Sequence, residues 1–124
     1  MKILIVEPYH HPRRAEIPHK LEAMHKIVGG YIQAIYPFDD PVALVCDDEG
    51  KLKGYPLNRY IPRTDIIAGT FFVCGLSEED FTDLPDALAD KYEKLFYYPQ
   101  IFVRTPNGII LAISENGRKE IVTI

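Results

Sequence analysis

Two kinds of hydrophobic pattern divide this chain into predicted strands and predicted helices. Residues Lys2–Val6 are continuously apolar after the lysine and rich in β-branched side chains, which predicts a strand buried on both faces. Apolar residues at helical spacing predict a helix over about 18–29, with Pro18 in its first turn and Gly29-Gly30 as its stop. A second stripe of this kind predicts a helix over about 84–97.

Shorter apolar runs lie between the two predicted helices. They predict strands over 31–36, 42–46, 51–53 and 66–76. Pro56 and Pro62 interrupt any periodicity in residues 55–65, which we therefore interpret as a structured loop. Gly69 marks a bulge or a close backbone approach within its run. Ser77 and the acids that follow it predict the opening turn of a short helix.

The last part of the chain alternates turn signals with apolar runs. Asn107-Gly108 and Asn116-Gly117 each separate two such runs, and Asn-Gly favours tight hairpin turns because both residues tolerate positive φ. We therefore expect a three-stranded β-meander over 99–124. Two helices set between groups of adjacent strands indicate an α+β fold with a mostly antiparallel sheet. We expect one domain over residues 1–124, with each helix covering one sheet face.

Composition narrows the class of protein. The chain has 124 residues, of which 47% are hydrophobic and 26% charged, as expected for a globular domain. Its net charge of −4 disfavours a protein that coats nucleic acid. We find no apolar run near the roughly 18–20 residues that span a bilayer, and the early Glu7-Pro8 argues against a signal peptide. Cys46 and Cys74 lie in apolar runs typical of buried thiols, so we expect a cytoplasmic, reduced protein.

A series of short motifs runs through the first four-fifths of the chain. The motifs are Leu21-Glu22-Ala23-Met24, Val28-Gly29-Gly30-Tyr31-Ile32, Tyr36-Pro37-Phe38-Asp39-Asp40, Val42-Ala43-Leu44-Val45-Cys46, Glu49-Gly50-Lys51-Leu52, Pro56-Leu57-Asn58-Arg59 and Asp65-Ile66-Ile67-Ala68-Gly69-Thr70-Phe71. Together they resemble a domain-of-unknown-function family of small proteins from Gram-positive bacteria, especially gut firmicutes, and from their phages and mobile elements. The resemblance covers roughly residues 1–98. It implies a bacterial cytoplasmic setting and supplies no activity or catalytic residues, and residues 99–124 lie outside it.

Metal and nucleophile signatures are weak in this sequence. His19 and His25 are six residues apart on the first predicted helix, which rotates their side chains by about 240° relative to each other and prevents a shared ligand set. The acids that flank residues 42–46 lack the alternating spacing of a calcium loop. We therefore expect no metal and no cofactor. Cys74 with a distant histidine is compatible with a thiol enzyme, but so is any chain with two cysteines and four histidines.

The most informative segment is a short basic stretch in an acidic chain. Residues 51–63 contain four cations and no acid, whereas residues 65–93 contain eight acids and one lysine. Arginine beside tyrosine and asparagine is typical of anion or base recognition. The predicted ligand-binding residues are Tyr55, Asn58, Arg59, Tyr60 and Arg63. The alternative is that Arg59 pairs with an acid such as Asp65 and that Asn58 caps a turn.

Three classes of function remain open. We favour a non-enzymatic binding or accessory module that recognises a partner protein or a small anionic ligand through residues 55–63. The alternatives are a small enzyme with a nucleotide- or phosphate-handling site, and an acidic mimic of nucleic acid that inhibits a DNA-acting enzyme. Eight tyrosines, six phenylalanines and an apolar edge strand near residues 121–124 also predict a homodimer, without membrane or nucleic-acid partners.

Overall fold

A computed structural model describes residues 1–123 as two helices and eleven strands. In chain order, the elements are β1 (Lys2–Val6), β2 (Arg13–Glu16), α1 (Leu21–Val28), β3 (Ile32–Ile35), β4 (Val42–Asp47), β5 (Leu57–Ile61), β6 (Asp65–Ala68), β7 (Phe71–Leu76), β8 (Phe81–Thr82), α2 (Asp86–Leu95), β9 (Gln100–Arg104), β10 (Ile110–Ser114) and β11 (Lys119–Ile121). Every strand pair is antiparallel. The α+β prediction is confirmed.

The central sheet has the strand order β2-β1-β7-β4-β3, and β8 adds to the end of β7. Because successive side chains of a strand point to opposite faces, its buried strands supply two cores. On one face Met24 and Val28 of α1 pack against residues such as Phe72. On the other, α2 packs through Tyr92 beside residues of the β5-β6 hairpin. Each helix therefore covers one face, as its single apolar stripe predicts.

The C-terminal meander forms a separate sheet in the order β11-β10-β9, which confirms the prediction from the two Asn-Gly turns. This sheet packs on the β5-β6 hairpin around Tyr60, Ile66 and Ala112. The predicted edge strand near residues 121–124 is represented by β11, which ends at Ile121, and residue 124 lies outside the described residues. None of the helices within residues 1–123 has the length and hydropathy needed to cross a membrane.

Both helices are shorter than their predicted spans. In α1, Gly29 ends the helix at φ +96°, as predicted, and its N–H donates to the carbonyl of His25. The helix begins at Leu21 because Lys20 is extended. In α2, the N–H of Leu84 donates to the carbonyl of Lys2, so this residue is fixed to the central sheet before the helix starts at Asp86. A tertiary hydrogen bond therefore sets the start of α2 later than the periodic pattern predicts.

The predicted strand over 51–53 is wrong, because these residues belong to turns that follow β4. The buried Asp47 carboxylate organises the turns by accepting from the N–H of Glu49 at 2.8 Å and from Lys53 Nζ at 2.7 Å. The short helix predicted at Ser77 is also wrong. Ser77 Oγ accepts from the N–H of Asp80 in a local turn, which leads into β8.

The predicted loop over 55–65 is wrong as well, because most of these residues form the β5-β6 hairpin. The single strand predicted over 66–76 is two strands, β6 and β7, that are separated at Gly69 with φ +83°. The close neighbour of Gly69 is a side chain rather than the predicted backbone, since a Cβ built there would lie 2.6 Å from Cδ2 of Tyr55. The sequence pattern also missed β2, which pairs with β1 directly after Pro12.

Two turns of the fold share an unusual construction. Residues 7–10 and 61–64 each place proline second and a non-glycine residue third, with φ +68° at Tyr9 and +62° at Arg63. The N–H of the fourth residue bonds the carbonyl of the first in both turns. This is a type II turn, in which glycine is the favoured third residue. The Tyr9 side chain is 62% exposed, so the strained backbone there gains little packing in return.

We expect the substitution Tyr9→Gly to stabilise the protein by about 0.5–1 kcal/mol, because relief of the left-handed strain exceeds the entropic cost of glycine. Tyr9→Ala is the matched control, since it removes the same ring and keeps the strain. Urea unfolding of the two variants measures the difference. A Tyr9→Gly variant less stable than Tyr9→Ala would contradict the assignment of strain to this turn.

Candidate functional site

The five predicted ligand-binding residues lie along one hairpin but in different surroundings. Tyr55 precedes β5 and is half-buried, with its hydroxyl 3.3 Å from the carbonyl oxygen of Gly29. Asn58, Arg59 and Tyr60 are buried residues of β5. Arg63 is exposed in the turn between β5 and β6. The structure therefore brings only Arg59 and Tyr60 to one cleft, and the binding role of the five residues remains a prediction.

Arg59 is 2% exposed, and all its hydrogen-bond donors are used inside the protein. Nε and Nη2 both donate to the carbonyl of Phe96, at 3.2 and 2.9 Å. Nη2 also donates to the carbonyl of His10 at 2.7 Å, and Nη1 donates to the carbonyl and side-chain oxygens of Asn58. Direct ligand binding by this guanidinium would require one of these bonds to break.

Asn58 is fully buried beside it and completes the network. Its Nδ2 donates to the carbonyls of Val6 and Gly69, both at 2.9 Å, and its Oδ1 receives the bond from Arg59. The alternative that Arg59 pairs with Asp65 is wrong, since Asp65 lies 2.5 Å from Lys51 Nζ. No carboxylate within residues 1–123 forms an ion pair with Arg59. Burial lowers the pKa of Arg59 to about 10, against a weaker raising effect of Glu115.

Tyr60 attaches the C-terminal sheet to the rest of the protein. Its N–H donates to Oε1 of the buried Gln100 at 2.8 Å, and Gln100 Nε2 donates to Ser114 Oγ at 3.2 Å. The Tyr60 hydroxyl donates to the carbonyl of Thr123 at 3.0 Å and accepts from the N–H of the same residue at 3.1 Å. The sheet therefore docks through a buried polar contact as well as apolar packing.

A cleft opens where the C-terminal sheet meets the end of α2 and the β5-β6 hairpin. We call it the junction cleft. Its volume is about 310 Å³, and its polar and aromatic lining includes Arg59, Lys94, Tyr98, Asn116, Arg118 and Glu120. Lys94 makes no ion pair within residues 1–123, and Arg118 Nε lies 3.9 Å from Glu120. Three cationic side chains and one carboxylate thus line this cleft of an acidic protein.

Sequence reasoning missed Lys94, Tyr98, Asn116 and Arg118. These residues come from the end of α2 and from the segment around the second Asn-Gly turn, far along the chain from β5. The one available signal was the predicted meander, whose turn at Asn116-Gly117 carries Arg118. Nothing in the sequence indicated that this turn folds back toward Arg59.

The thiols are placed where they are poor nucleophiles. Cys46 and Cys74 are buried, free thiols in the cores on opposite faces of the central sheet. Burial is the main cause that raises the pKa of Cys46 to about 11 and that of Cys74 to about 12. No group of three or more His, Cys, Asp or Glu side chains in the described part of the chain is arranged to hold a metal ion.

Comparison with protein families assigns most of the chain to one family. A family model for a domain of unknown function, DUF3846, matches residues 1–97. The chain belongs to this family, and the match confirms the resemblance at the level of a domain of unknown function. No curated protein and no solved structure matches the chain. The matched residues include Lys94 and Arg59, whereas Tyr98 and Arg118 lie beyond them, so the junction cleft combines the family domain with the C-terminal sheet.

We expect Arg59→Ala to destabilise the protein by about 3 kcal/mol or more, because it removes donors from several buried carbonyl oxygens. Arg63→Ala is the control, since it removes an exposed arginine from the same hairpin and should change stability by less than about 0.5 kcal/mol. Chemical unfolding compares the two variants. Equal stability of the two variants would contradict the structural role of Arg59.

We expect native thiols to resist labelling at pH 8. Both cysteines are buried, and burial raises the pKa of each thiol, so the reactive thiolate form is scarce at this pH. The denatured chain should react with two equivalents of reagent without reductant, matching its two cysteines. The native labelling rate should stay far below that of the denatured chain, because both thiols are buried. Fast labelling of native Cys74 at pH 8 would instead support a thiol enzyme.

Proposed function

We propose that the protein is a binding module that takes up a small anionic ligand in the junction cleft. The observation that carries the proposal is the charge of the cleft. Arg59, Lys94 and Arg118 line it together with one carboxylate, Glu120, and Glu115 acts on Arg59 from outside the lining, whereas the whole chain has a net charge of −4. A concave surface of one sign concentrates ligands of the opposite sign.

The cations would have different roles. Arg59 uses its donors internally, so it would act on a ligand through its charge, which is strengthened where water is excluded. Lys94 and Arg118 are exposed and can move, so they would donate to the anion directly. Tyr98 is 41% exposed and offers a ring face to an aromatic group of the ligand.

These features suit a phosphate-bearing ligand that also carries an aromatic group. The guanidinium of Arg118 and the ammonium of Lys94 suit phosphate oxygens, and Tyr98 and Phe38 are aromatic residues of the lining that could contact a base. The volume of about 310 Å³ is at the small end of the range for ligand pockets. A mononucleotide is therefore the largest ligand that we propose for this cleft.

We expect Lys94→Ala with Arg118→Ala to weaken binding of phosphate and of AMP at least tenfold, since each lost charge-assisted hydrogen bond contributes about 1.5–3 kcal/mol. Isothermal titration calorimetry measures the change. The matched control is Lys20→Ala with Lys26→Ala, which removes the same charge from the surface at α1. Equal weakening by the control pair, or no weakening by the cleft pair, would contradict the proposal.

The same samples separate binding from catalysis. Chromatography of a nucleoside triphosphate after incubation with the wild type should recover it unchanged if the cleft only binds. Turnover that is lost in the Lys94→Ala, Arg118→Ala variant would support the alternative of a nucleotide- or phosphate-handling enzyme. Capture of a DNA-acting enzyme with no small ligand would support the alternative of a nucleic-acid mimic.

The cellular setting is also part of the proposal. Free thiols on opposite faces of one sheet suit a reducing compartment, which supports a cytoplasmic protein. The bacterial origin and the link to mobile elements remain predictions from the family resemblance. In an accessory role for a mobile element, the protein would recognise a partner protein in addition to the anion.

A further inference from the structure

The two edges of the central sheet differ in their protection. Natural edge strands usually carry charges, prolines or bulges that prevent pairing with another chain. The β2 edge has this protection, because Arg13 pairs with Glu7, and Arg14 pairs with Asp90 and Glu93. The β3 edge, Ile32–Ile35, has neither charge nor proline, and no strand of residues 1–123 covers its outer side.

Aromatic residues border the unprotected edge. Tyr31 and Tyr36 flank β3 and are 75% and 61% exposed. Between them Gln33 is exposed, and Ile32, Ala34 and Ile35 are partly buried. An uncharged strand between exposed tyrosines is the composition of a pairing surface rather than of a solvated edge.

The hydrogen-bond register shows which backbone groups of β3 are free. The carbonyl of Tyr31 accepts from the N–H of Asp48 at 2.9 Å, and Gln33 lies opposite Cys46 in the same ladder. Because bonded and non-bonded pairs alternate in an antiparallel ladder, Gln33 also faces β4. The N–H and carbonyl groups of Ile32 and Ala34 therefore point away from the sheet.

We propose that β3 is a self-complementary interface, which pairs antiparallel with β3 of a second copy of this chain about a two-fold axis at Gln33. In this register Ile32 of each copy lies opposite Ala34 of the other, and each such pair exchanges both of its N–H···O bonds. The central sheets of two copies then form one continuous sheet.

The side chains fit the same register. Gln33 meets Gln33 of the second copy at the axis, where two amides can hydrogen-bond each other. Tyr31 of each copy lies opposite Ile35 of the other, and aromatic with β-branched residues is a favourable cross-strand pair. Every residue of β3 thus meets an uncharged residue of the second β3, so a second copy of this chain fits this edge.

The β11 edge is less suitable than β3 for pairing with a second copy, although the sequence predicted an apolar edge strand near it. The carbonyl of Arg118 and the N–H of Val122 bond β10, so Lys119 and Ile121 carry the outward groups. A two-fold register that uses both of them places Glu120 directly opposite Glu120 of the second copy. Like charges in that position are destabilising.

The test uses charge at the two-fold axis. Gln33→Glu and Gln33→Lys each place like charges opposite each other, so each variant should dimerise at least tenfold more weakly than the wild type in sedimentation equilibrium. Because Gln33 is exposed, their thermal unfolding should match that of the wild type at protein concentrations where the wild type is monomeric. An equimolar mixture of the two variants should recover the dimer, since opposite charges then meet. Glu120→Lys is the control and should dimerise like the wild type.

Amide hydrogen exchange locates the interface independently. The Ile32 and Ala34 amides should exchange more slowly as wild-type concentration rises, and should lose this dependence in Gln33→Glu. A wild type that stays monomeric up to about 100 μM, or a dimer unaffected by both Gln33 variants, would overturn the proposal. Protection of Lys119 and Ile121 instead would assign the interface to β11 and would also overturn it.

Discussion

The fold depends on a buried pair of polar side chains that binds the ends of several elements at once. Asn58 and Arg59 are adjacent in β5, and their outward bonds reach backbone carbonyls of four separate segments, at Val6, His10, Gly69 and Phe96. The carbonyls of Val6, Gly69 and Phe96 belong to buried residues, so each needs the donor that it receives. The positions of β1, β7, the Tyr9 turn and the end of α2 are therefore fixed relative to one hairpin.

The same pair explains which parts of the fold could be predicted from the sequence. Strands such as β1 and β4 were predictable because their buried positions are apolar, and the periodicity of α1 and α2 follows from the same rule. The β5 strand was not, because Pro56 and Pro62 flank it and its buried positions include Asn58 and Arg59, which pattern analysis places on the surface. A polar residue can lie in a core when its hydrogen bonds are satisfied, and a sequence pattern does not show the partners that satisfy them.

The candidate site was predictable only in part, for a related reason. Local charge density pointed to residues 51–63 and did find Arg59 and Tyr60, which line the junction cleft. Lys51 and Lys53 belong to the same basic stretch, but they are used in ion pairs with Asp65 and Asp47. Lys94 lies at the end of α2, and Arg118 joins it in one cleft because the C-terminal sheet docks through the contact between Tyr60 and Gln100. A contact between residues this far apart in the chain leaves no periodic pattern in the sequence.

The buried charge links stability to the proposed recognition. An apolar side chain of similar volume in place of Arg59 would avoid a desolvation cost, but it would leave the carbonyl of Phe96, at the negative end of α2, without either of its guanidinium donors. The carbonyl oxygens around Arg59 oppose its charge only through dipoles, so under the proposed function Arg59 supplies a positive field to the cleft, which an anion beside Lys94 and Arg118 would neutralise. Because the family match ends at residue 97, the domain contributes this field and the C-terminal sheet contributes Arg118 and Asn116. Selectivity among anions would then reside in the C-terminal sheet, and affinity in both parts of the chain.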